Sequence, residues 1–469
     1  MKNKNVNKTT EKKSAADSME IMASASVPKA VIKNALPAIA AMIMVLIYNL
    51  ADTFFIGQTH DALQVAAVSL ATPVFLFFMA VGTVFGIGGT SVISRAMGEG
   101  RTEYASKVCS FCMWSCVIVG LAMSFLFWIF MDQILTLVGA SAATWEYTKA
   151  YLEIVILCGP FVLISNCYSN VLRAEGQSTK AMTGTLIGNL LNVILDPIMI
   201  LGFGWNIQGA AIATVIGNIV GAGYYILYFL RGESILSVSP KDFTMKDGVC
   251  SGVLSIGIPA ALGSLLMSVS QIIVNALMAG YGDMAVAAIG VAMKVTMITG
   301  MVCIGLGQGI QPLLGYCIGA GKKQRYHAVM RYSLIFALIL SVSMTALCYI
   351  FTNAIVSAFL TDADAFSYAV EFVRILLTTS VLFGVYYVWL NALQASGAAV
   401  ASLVVNLSRQ GIIYIPMLFI LRSIIGINGL LWAQPVADIL STILVIVLYR
   451  NSSKKLFSKT GVQAEGAAA

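Results

Sequence analysis

The stretch Ala35-Leu-Pro-Ala-Ile-Ala-Ala-Met-Ile-Met-Val-Leu-Ile-Tyr-Asn-Leu-Ala-Asp52-Thr-Phe-Phe-Ile-Gly57 decides the fold. It is long and apolar, and it carries one proline, Pro37, and one acid, Asp52. A run of about 20 apolar residues is long enough to cross a bilayer as a helix. Eleven more such runs follow, giving segments at roughly 30–57, 63–90, 105–131, 149–171, 180–203, 209–230, 249–280, 285–312, 327–352, 368–394, 399–421 and 428–449. Lipid offers no partner to a bare backbone group, so each run is expected to be a helix. The runs are too long, and alternate too little, for outer-membrane strands. Of the 469 residues 59% are apolar and only 10% charged, with mean hydropathy +0.87. Soluble domains carry about 25% charged residues, so a soluble globular enzyme is excluded. The expected class is an all-α polytopic membrane protein of twelve transmembrane helices.

The scarce charges are unevenly placed. Of 28 basic residues, 23 fall in the N-terminal tail and first helix start (Lys2 to Lys33), the even-numbered loops and the C-terminal tail. Those loops carry Arg95, Arg101 and Lys107, then Arg173 and Lys180, then Arg231, Lys241 and Lys246, then Lys322, Lys323, Arg325 and Arg331. The opposite loops carry Asp61, Asp132, Asp283, Asp362 and Asp364. Positive charge stays on the cytoplasmic side, so both termini are expected there, in the cell (inner or plasma) membrane. The net charge of +7 then marks orientation rather than a nucleic-acid surface. Residues 1–28 are polar and expected to be disordered, with room for a short amphipathic piece near the membrane. No short apolar core with an A-x-A site precedes residue 30, so no signal peptide is read. The tail from 451 is again polar.

The chain repeats itself. Ala35-Leu-Pro-Ala38 pairs with Gly257-Ile-Pro-Ala260, Leu172-x-Ala174-x-Gly176 with Leu393-x-Ala395-x-Gly397, and Ile207-x-Gly209 with Ile427-x-Gly429. Offsets of 220 to 222 persist across half the chain. They predict two pseudo-symmetric six-helix bundles, 29–231 and 249–450, joined by a cytoplasmic linker at 232–248. An even number of spans gives both bundles the same orientation. Two bundles facing a cleft suit alternating access.

Ionisable groups inside spans are costly and mark cavities or partners. Asp52 sits in the first segment and Asp196 in the fifth, in Asn189-Leu-Leu-Asn192-Val-Ile-Leu-Asp196-Pro197. Their repeat equivalents are near Val274 and Met417, so the second half lacks both acids. That asymmetry favours a function confined to the first half. Asn189, Asn192 and Asp196 are spaced i, i+3, i+7 and share one helix face. Pro197 removes a backbone donor and is expected to kink the helix, freeing the carbonyl near Val193. Thr214, in the sixth segment, adds a hydroxyl. Carboxylate, amide and main-chain oxygens are hard ligands suited to Na⁺, and a buried Asp is equally suited to carrying H⁺. The competing reading is plain: Asp52 caps a helix end and Asp196 repairs a proline kink. Pro37 lies about four turns before Asp52, as either a conformational hinge or a static kink.

Lys294 is a further charge inside a span, in a cavity or snorkelling. Glu371 and Arg374 are expected to pair near the outer end of the tenth segment. Glu153 lies at the interface or lines the cleft. The nine cysteines fall mostly in apolar runs; Cys109, Cys112 and Cys116 share helical spacing but have no histidine or carboxylate beside them, so neither disulfides nor a metal site is expected. His60 and His327 lie near loops, and no acid–base or metal constellation supports an enzyme. No filter-like repeat supports a channel.

In order along the chain, Asn49-x-x-Asp52-Thr-x-Phe-Ile-Gly57 after Pro37, the Ala-Ala-Val-Ser-Leu run at 66–70, Arg95-Ala-x-Gly98, Leu172-Arg-Ala-x-Gly176 and Asn192-x-x-x-Asp196-Pro197 resemble the multidrug and toxic compound extrusion (MATE) family. The resemblance spans about 30–450 and is closer to MepA-like and DinF-like bacterial members than to NorM-like ones. It implies a MATE-like fold and a multidrug efflux antiporter, linked to antibiotic resistance. Such a transporter exports amphiphilic, often cationic drugs in exchange for Na⁺ or H⁺, without a cofactor. It implies a cation-coupling site at Asp52, Asn192, Asp196 and Thr214. Pro37 and Pro197 are the expected conformational hinges, and Asn189, Lys294 and Met267 are candidate cavity residues. A second-half acid used by the NorM-like branch falls by register on Met267, so coupling is expected to rest on the first half. The expected partners are small-molecule drugs and membrane lipids, with no nucleic acid, and a monomer is expected. The alternative is a lipid or lipid-linked oligosaccharide flippase of the same broad superfamily.

Overall fold

The computed structural model describes residues 19–59, 61–360 and 363–456. The expected disorder of residues 1–18, and any role for His60, lie outside them. Every regular element among the described residues is helical.

Among the described residues ten helices are long and apolar enough to cross a membrane, and two bent pairs, each taken as one span, bring the number to twelve. The first half holds α1 (Val27–Gly57), α2 (Ala62–Gly98), α3 (Thr102–Ile129), α4 (Trp145–Leu157 plus Gly159–Ala174), α5 (Ser178–Gly202) and α6 (Asn206–Leu230). The second half holds α7 (Val249–Ala279), α8 (Asp283–Gly319), α9 (Lys323–Ile350), α10 (Ala363–Leu377 plus Val381–Ser396), α11 (Ala399–Ile425) and α12 (Ile427–Leu456). Each follows from its apolar run. Two features do not. Spans α4 and α10 are broken, bent by 58° and 46°. The breaks fall at corresponding places of the repeat, near Gly159 and Ser380. Helices α2 and α8 are each 37 residues long and project past the expected ends at 90 and 312.

The polar ends are also more structured than expected. Residues 19–23 are helical, and Met22 is buried among the second-half core residues. The Arg325 guanidinium holds this piece down. Its Nε donates to the Met22 carbonyl (3.0 Å), Nη1 to Ala25 (2.7 Å) and Nη2 to Ile21 (3.1 Å), while Lys322 Nζ donates to Ala23 (2.9 Å). Carbonyls at a helix end have no intrahelical partner, and one planar cation satisfies three of them. The expectation of disorder through residue 28 is therefore corrected at 19–28. At the other end α12 continues through the polar residues to Leu456.

Each half has its own buried apolar core, one running from Ile56 to Val253 and two in the second half. Helix α1 belongs to both. Its first turns, at Ala30, Val31, Ala35 and Ile39, pack with α8 and α9, whereas Ile56 at its far end joins the first-half core. The halves meet along α1 against α8 and α2 against α7. They meet in the parts of these helices nearest the basic loops, and glycines make the contact. A Cβ at Gly257 would overlap the Val84 carbonyl, one at Gly88 the Val253 carbonyl, and one at Gly319 the Arg95 carbonyl. Small residues at such crossings let two backbones touch. Polar ties lie at the same end. The Ser91 hydroxyl donates to the Gln394 carbonyl, Arg95 Nη1 to Ser396 (3.3 Å), and Arg173 Nη1 to Gln308 Oε1 (2.9 Å).

Candidate functional site

In the first half, α5 and α6 approach until Gly188 and Gly217 face each other's backbone. That closeness sets the polar residues one turn away. Asn192 Nδ2 donates to Thr214 Oγ1 at 3.3 Å. Asp196 ends the regular part of α5. Pro197 offers no N–H, and the chain answers the lost bond with a π-helical turn over Pro197–Gly202. The kink expected at Pro197 thus takes the form of a widened turn. Asp196 is 0% exposed, Asn192 2%, Thr214 3% and Tyr151 6%. Asp52, from α1, is near enough for its charge to act on Asp196. Tyr48 and Tyr151 lie beside this group.

The chamber is rich in acceptors and short of donors. Both Asp196 oxygens, Asp52 Oδ1 and Asn192 Oδ1 are buried with no hydrogen-bond partner among the described residues, as is Asn189 Nδ2. Buried polar groups are normally paired. Four orphaned oxygens converging from α1 and α5 make an arrangement suited to a small hard cation or a proton. The sequence-derived residues Asp52, Asn192, Asp196 and Thr214 are brought together here, with Asn189 one turn before Asn192. Pro37 is not in the chamber. Helix α1 runs unbroken through it, at the level where α1 packs on α8.

Met267 and Lys294 lie elsewhere, in a cavity of about 180 Å³ within the second half. An adjoining pocket shares Met267, Ile304, Tyr387, Arg409 and Gln410 with it and reaches Thr83 and Ile87 of α2. Behind its wall is a buried ion pair absent from the sequence reading. Arg409 Nε donates to Asp438 Oδ1 at 2.8 Å, and Nη1 to the Tyr387 hydroxyl at 3.1 Å. Gln434 Nε2 (2.9 Å) and Thr379 Oγ1 (3.2 Å) also donate to Asp438. The rings of Phe383, Tyr386 and Tyr387 surround the guanidinium, with centroids 4.6, 5.0 and 5.6 Å from Cζ. Arg409 sits in a π-helical turn, Ser408–Ile412, just as Asp196 abuts one.

This corrects the view that intramembrane acids belong to the first half alone. The second half does lack them at Val274 and Met417, but it holds Asp438 on α12. The same signal, an ionisable side chain inside an apolar run, marks Asp438 and Arg409. A comparison confined to the mates of Asp52 and Asp196 passes over both. By the repeat offset, Arg409 corresponds to Gly188, the glycine that packs α5 on α6.

Two lesser expectations also resolve. Glu371 and Arg374 form no ion pair; Arg374 instead faces the Tyr349 ring at 5.7 Å. Glu153 lines a polar pocket with Asp132 and Lys149, which contains none of Asp52, Asn192, Asp196 and Thr214.

Known proteins resemble this chain throughout. The MatE family model matches residues 37–198 and again 259–420, once in each half. The multidrug export protein MepA of Staphylococcus aureus strain MSSA476 is 31% identical over 426 residues, covering 90% of this chain and 94% of that one. The protein of the same name from Staphylococcus haemolyticus strain JCSC1435 is 30% identical over 431 residues, covering 92% and 95%. A solved structure described as the outward-facing conformation of a multidrug resistance MATE family transporter of the MOP superfamily superposes with a TM-score of 0.89 at 21% identity. It covers 93% of this chain and 98% of its own. At that identity the likeness concerns the fold.

Proposed function

This chain belongs to the MatE family, and from that premise we propose that it is a secondary active multidrug efflux antiporter. It exports small amphiphilic compounds in exchange for Na⁺ or H⁺ by alternating access, with both termini in the cytoplasm. The observation that carries the coupling part is the cluster of orphaned oxygens on Asp52, Asn192 and Asp196. Without a bound cation, the Asp52 and Asp196 carboxylates lack hydrogen-bond donors for their buried oxygens, and each charge opposes the other. Binding Na⁺, or protonation, relieves both. The chamber draws its groups from α1, α4, α5 and α6, so relief at one point changes how these helices pack.

Helix α1 transmits that change. Asp52 lies in the first-half chamber, and the first turns of the same helix are packed into the second-half core. Pro37 lies within that packed stretch, where the intrahelical bond to its nitrogen is missing and bending is easiest. Cation binding that draws Asp52 towards Asp196 therefore pulls against the contact between halves. Drug and cation need only favour different arrangements of the lobes for exchange to follow. The contacts near the basic loops support a state closed to the cytoplasm.

The test is dye efflux from membrane vesicles under an imposed Na⁺ or pH gradient. Asp52→Asn and Asp196→Asn are each expected to abolish gradient-driven export while the protein still reaches the membrane and unfolds cooperatively. The gradient that drives the unsubstituted chain identifies the ion. Normal export in both variants would remove the coupling site from these residues.

A further inference from the structure

We propose that the second-half cavity binds compounds with an aromatic body and an anionic head, held by Lys294 and the free edge of Arg409. This deepens the efflux reading and rests on it for the purpose of binding, though not for the binding itself.

The charges on the cavity wall all have one sign. Its lining includes Lys294 and Arg409, and no Asp or Glu lines either part of it among the described residues. Asp438 does not reach the cavity. It is 2% exposed and lies behind Arg409, so the pair presents its positive end inward. Arg409 is not used up by the pair. Nε and Nη1 are engaged by Asp438 and Tyr387, while Nη2 has no partner among the described residues. A guanidinium keeps a planar donor edge, suited to a carboxylate or sulfonate. Lys294 has no ion-pair partner among the described residues. Its nearest aromatic neighbour is Phe359, with the ring centroid 5.5 Å from Nζ.

The rest of the wall fits the body of such a ligand. Met267, Met293, Met297 and Met301 give a deformable apolar surface, and Phe383 and Tyr387 give flat faces. Gln271, Gln410 and Gln434 accept or donate around the head. A cationic drug would find rings but no counter-charge here, and two like charges instead. An anion gives the buried Arg409 a second partner and Lys294 an ion-pair partner.

The experiment is equilibrium binding to the purified full-length chain in nanodiscs, with empty discs subtracted. Three radiolabelled probes share one ring system: 2-naphthoate, its methyl ester and 2-naphthylmethylammonium. The carboxylate is expected to bind saturably, about tenfold tighter than the ester, as one charge-assisted hydrogen bond implies. Lys294→Gln is expected to remove most of that preference, and Lys294→Glu to shift it towards the ammonium. Lys294 is on the cavity surface, so both variants should fold, with thermal unfolding as the control. Discs of phosphatidylcholine alone are compared with discs containing phosphatidylglycerol. Unchanged naphthoate binding marks a soluble cargo; competition marks a lipid headgroup as the source of the same chemistry. Equal binding of all three probes, or ammonium binding that exceeds carboxylate binding in the unsubstituted chain, overturns the proposal. Dye efflux is scored separately. Efflux without naphthoate binding defeats this inference alone, and naphthoate binding without efflux defeats the transport reading alone.

Discussion

A guanidinium inside a membrane lobe needs a counter-charge, and Arg409 has one on its buried side. Arg409 has a carboxylate, a phenol and three rings around it, and Asp438 has two further donors of its own. Removing one partner of such a pair leaves an uncompensated buried charge, at a cost of about 3–5 kcal/mol. Asp438→Ala is therefore expected to lower the thermal midpoint in detergent markedly, and Asp438→Asn less. Equal midpoints for both would mean that the carboxylate charge contributes nothing. Glu175, just past the end of α4, is a second enclosed acid, outside the spans. It accepts from the Ile235 amide (2.6 Å), the Ser234 hydroxyl (2.8 Å) and the Tyr228 hydroxyl (3.3 Å), which ties the segment after α6 to the first half. Burial pushes its carboxyl from 4.5 up to about 7, against the pull of these donors. A raised acid binds more protons in the docked state than when released, so docking weakens as pH rises from about 4.5 through 7. Amide exchange at Ile235 is expected to quicken over that window, and Glu175→Gln to flatten the dependence. Asp52 and Asp196 are legible in sequence because an acid in an apolar run is rare. Arg409 and Asp438 carry the same mark, but their meaning lies in a partner 29 residues away on another helix. Glu175 reads as one more polar residue in a loop.

At the scale of elements, hydropathy locates all twelve spans, because lipid leaves a long apolar run little choice but a helix. It does not locate the breaks in α4 and α10. The break in α4 falls at Gly159-Pro160, where the proline offers no N–H; the break in α10, at Thr378-Thr379-Ser380, has no proline. The π-helical turns show this more sharply. One follows Asp196, where Pro197 announces it; the other encloses Arg409, where no proline does. Both place a charged side chain beside a widened turn, although the two turns are not repeat equivalents. The N-terminal piece was hidden for the opposite reason. Its polar composition reads as disorder, and Arg325 and Lys322, some 300 residues later, capture its carbonyls. Arg325→Ala is expected to expose residues 19–26 to proteolysis several-fold faster, with the midpoint of global unfolding little changed. Unaltered cleavage would show that Met22 packing alone holds the segment.

For the molecule as a whole, the internal repeat made two bundles legible, but not how they touch. The contact depends on glycines whose meaning appears only when two distant backbones meet. Gly257→Val places a side chain where the Val84 carbonyl lies and is expected to force α2 from α7. Amide exchange across 84–98 should quicken and export should fall, even with the cation chamber intact. Retained export with unchanged exchange would show that the two helices separate easily without the close contact. The same seam has a mechanical meaning. Long side chains lose rotamer freedom when an interface shuts and regain it on opening, at about 1–2 kcal/mol each for the longest. Glycine has no rotamers to freeze. Under the alternating access proposed above, a joint closed by bare backbone would open and shut with little side-chain entropy at stake, leaving the two states close in free energy. One cation or one small cargo would then suffice to tip the balance, since a ligand shifts an equilibrium only by its differential affinity for the two states.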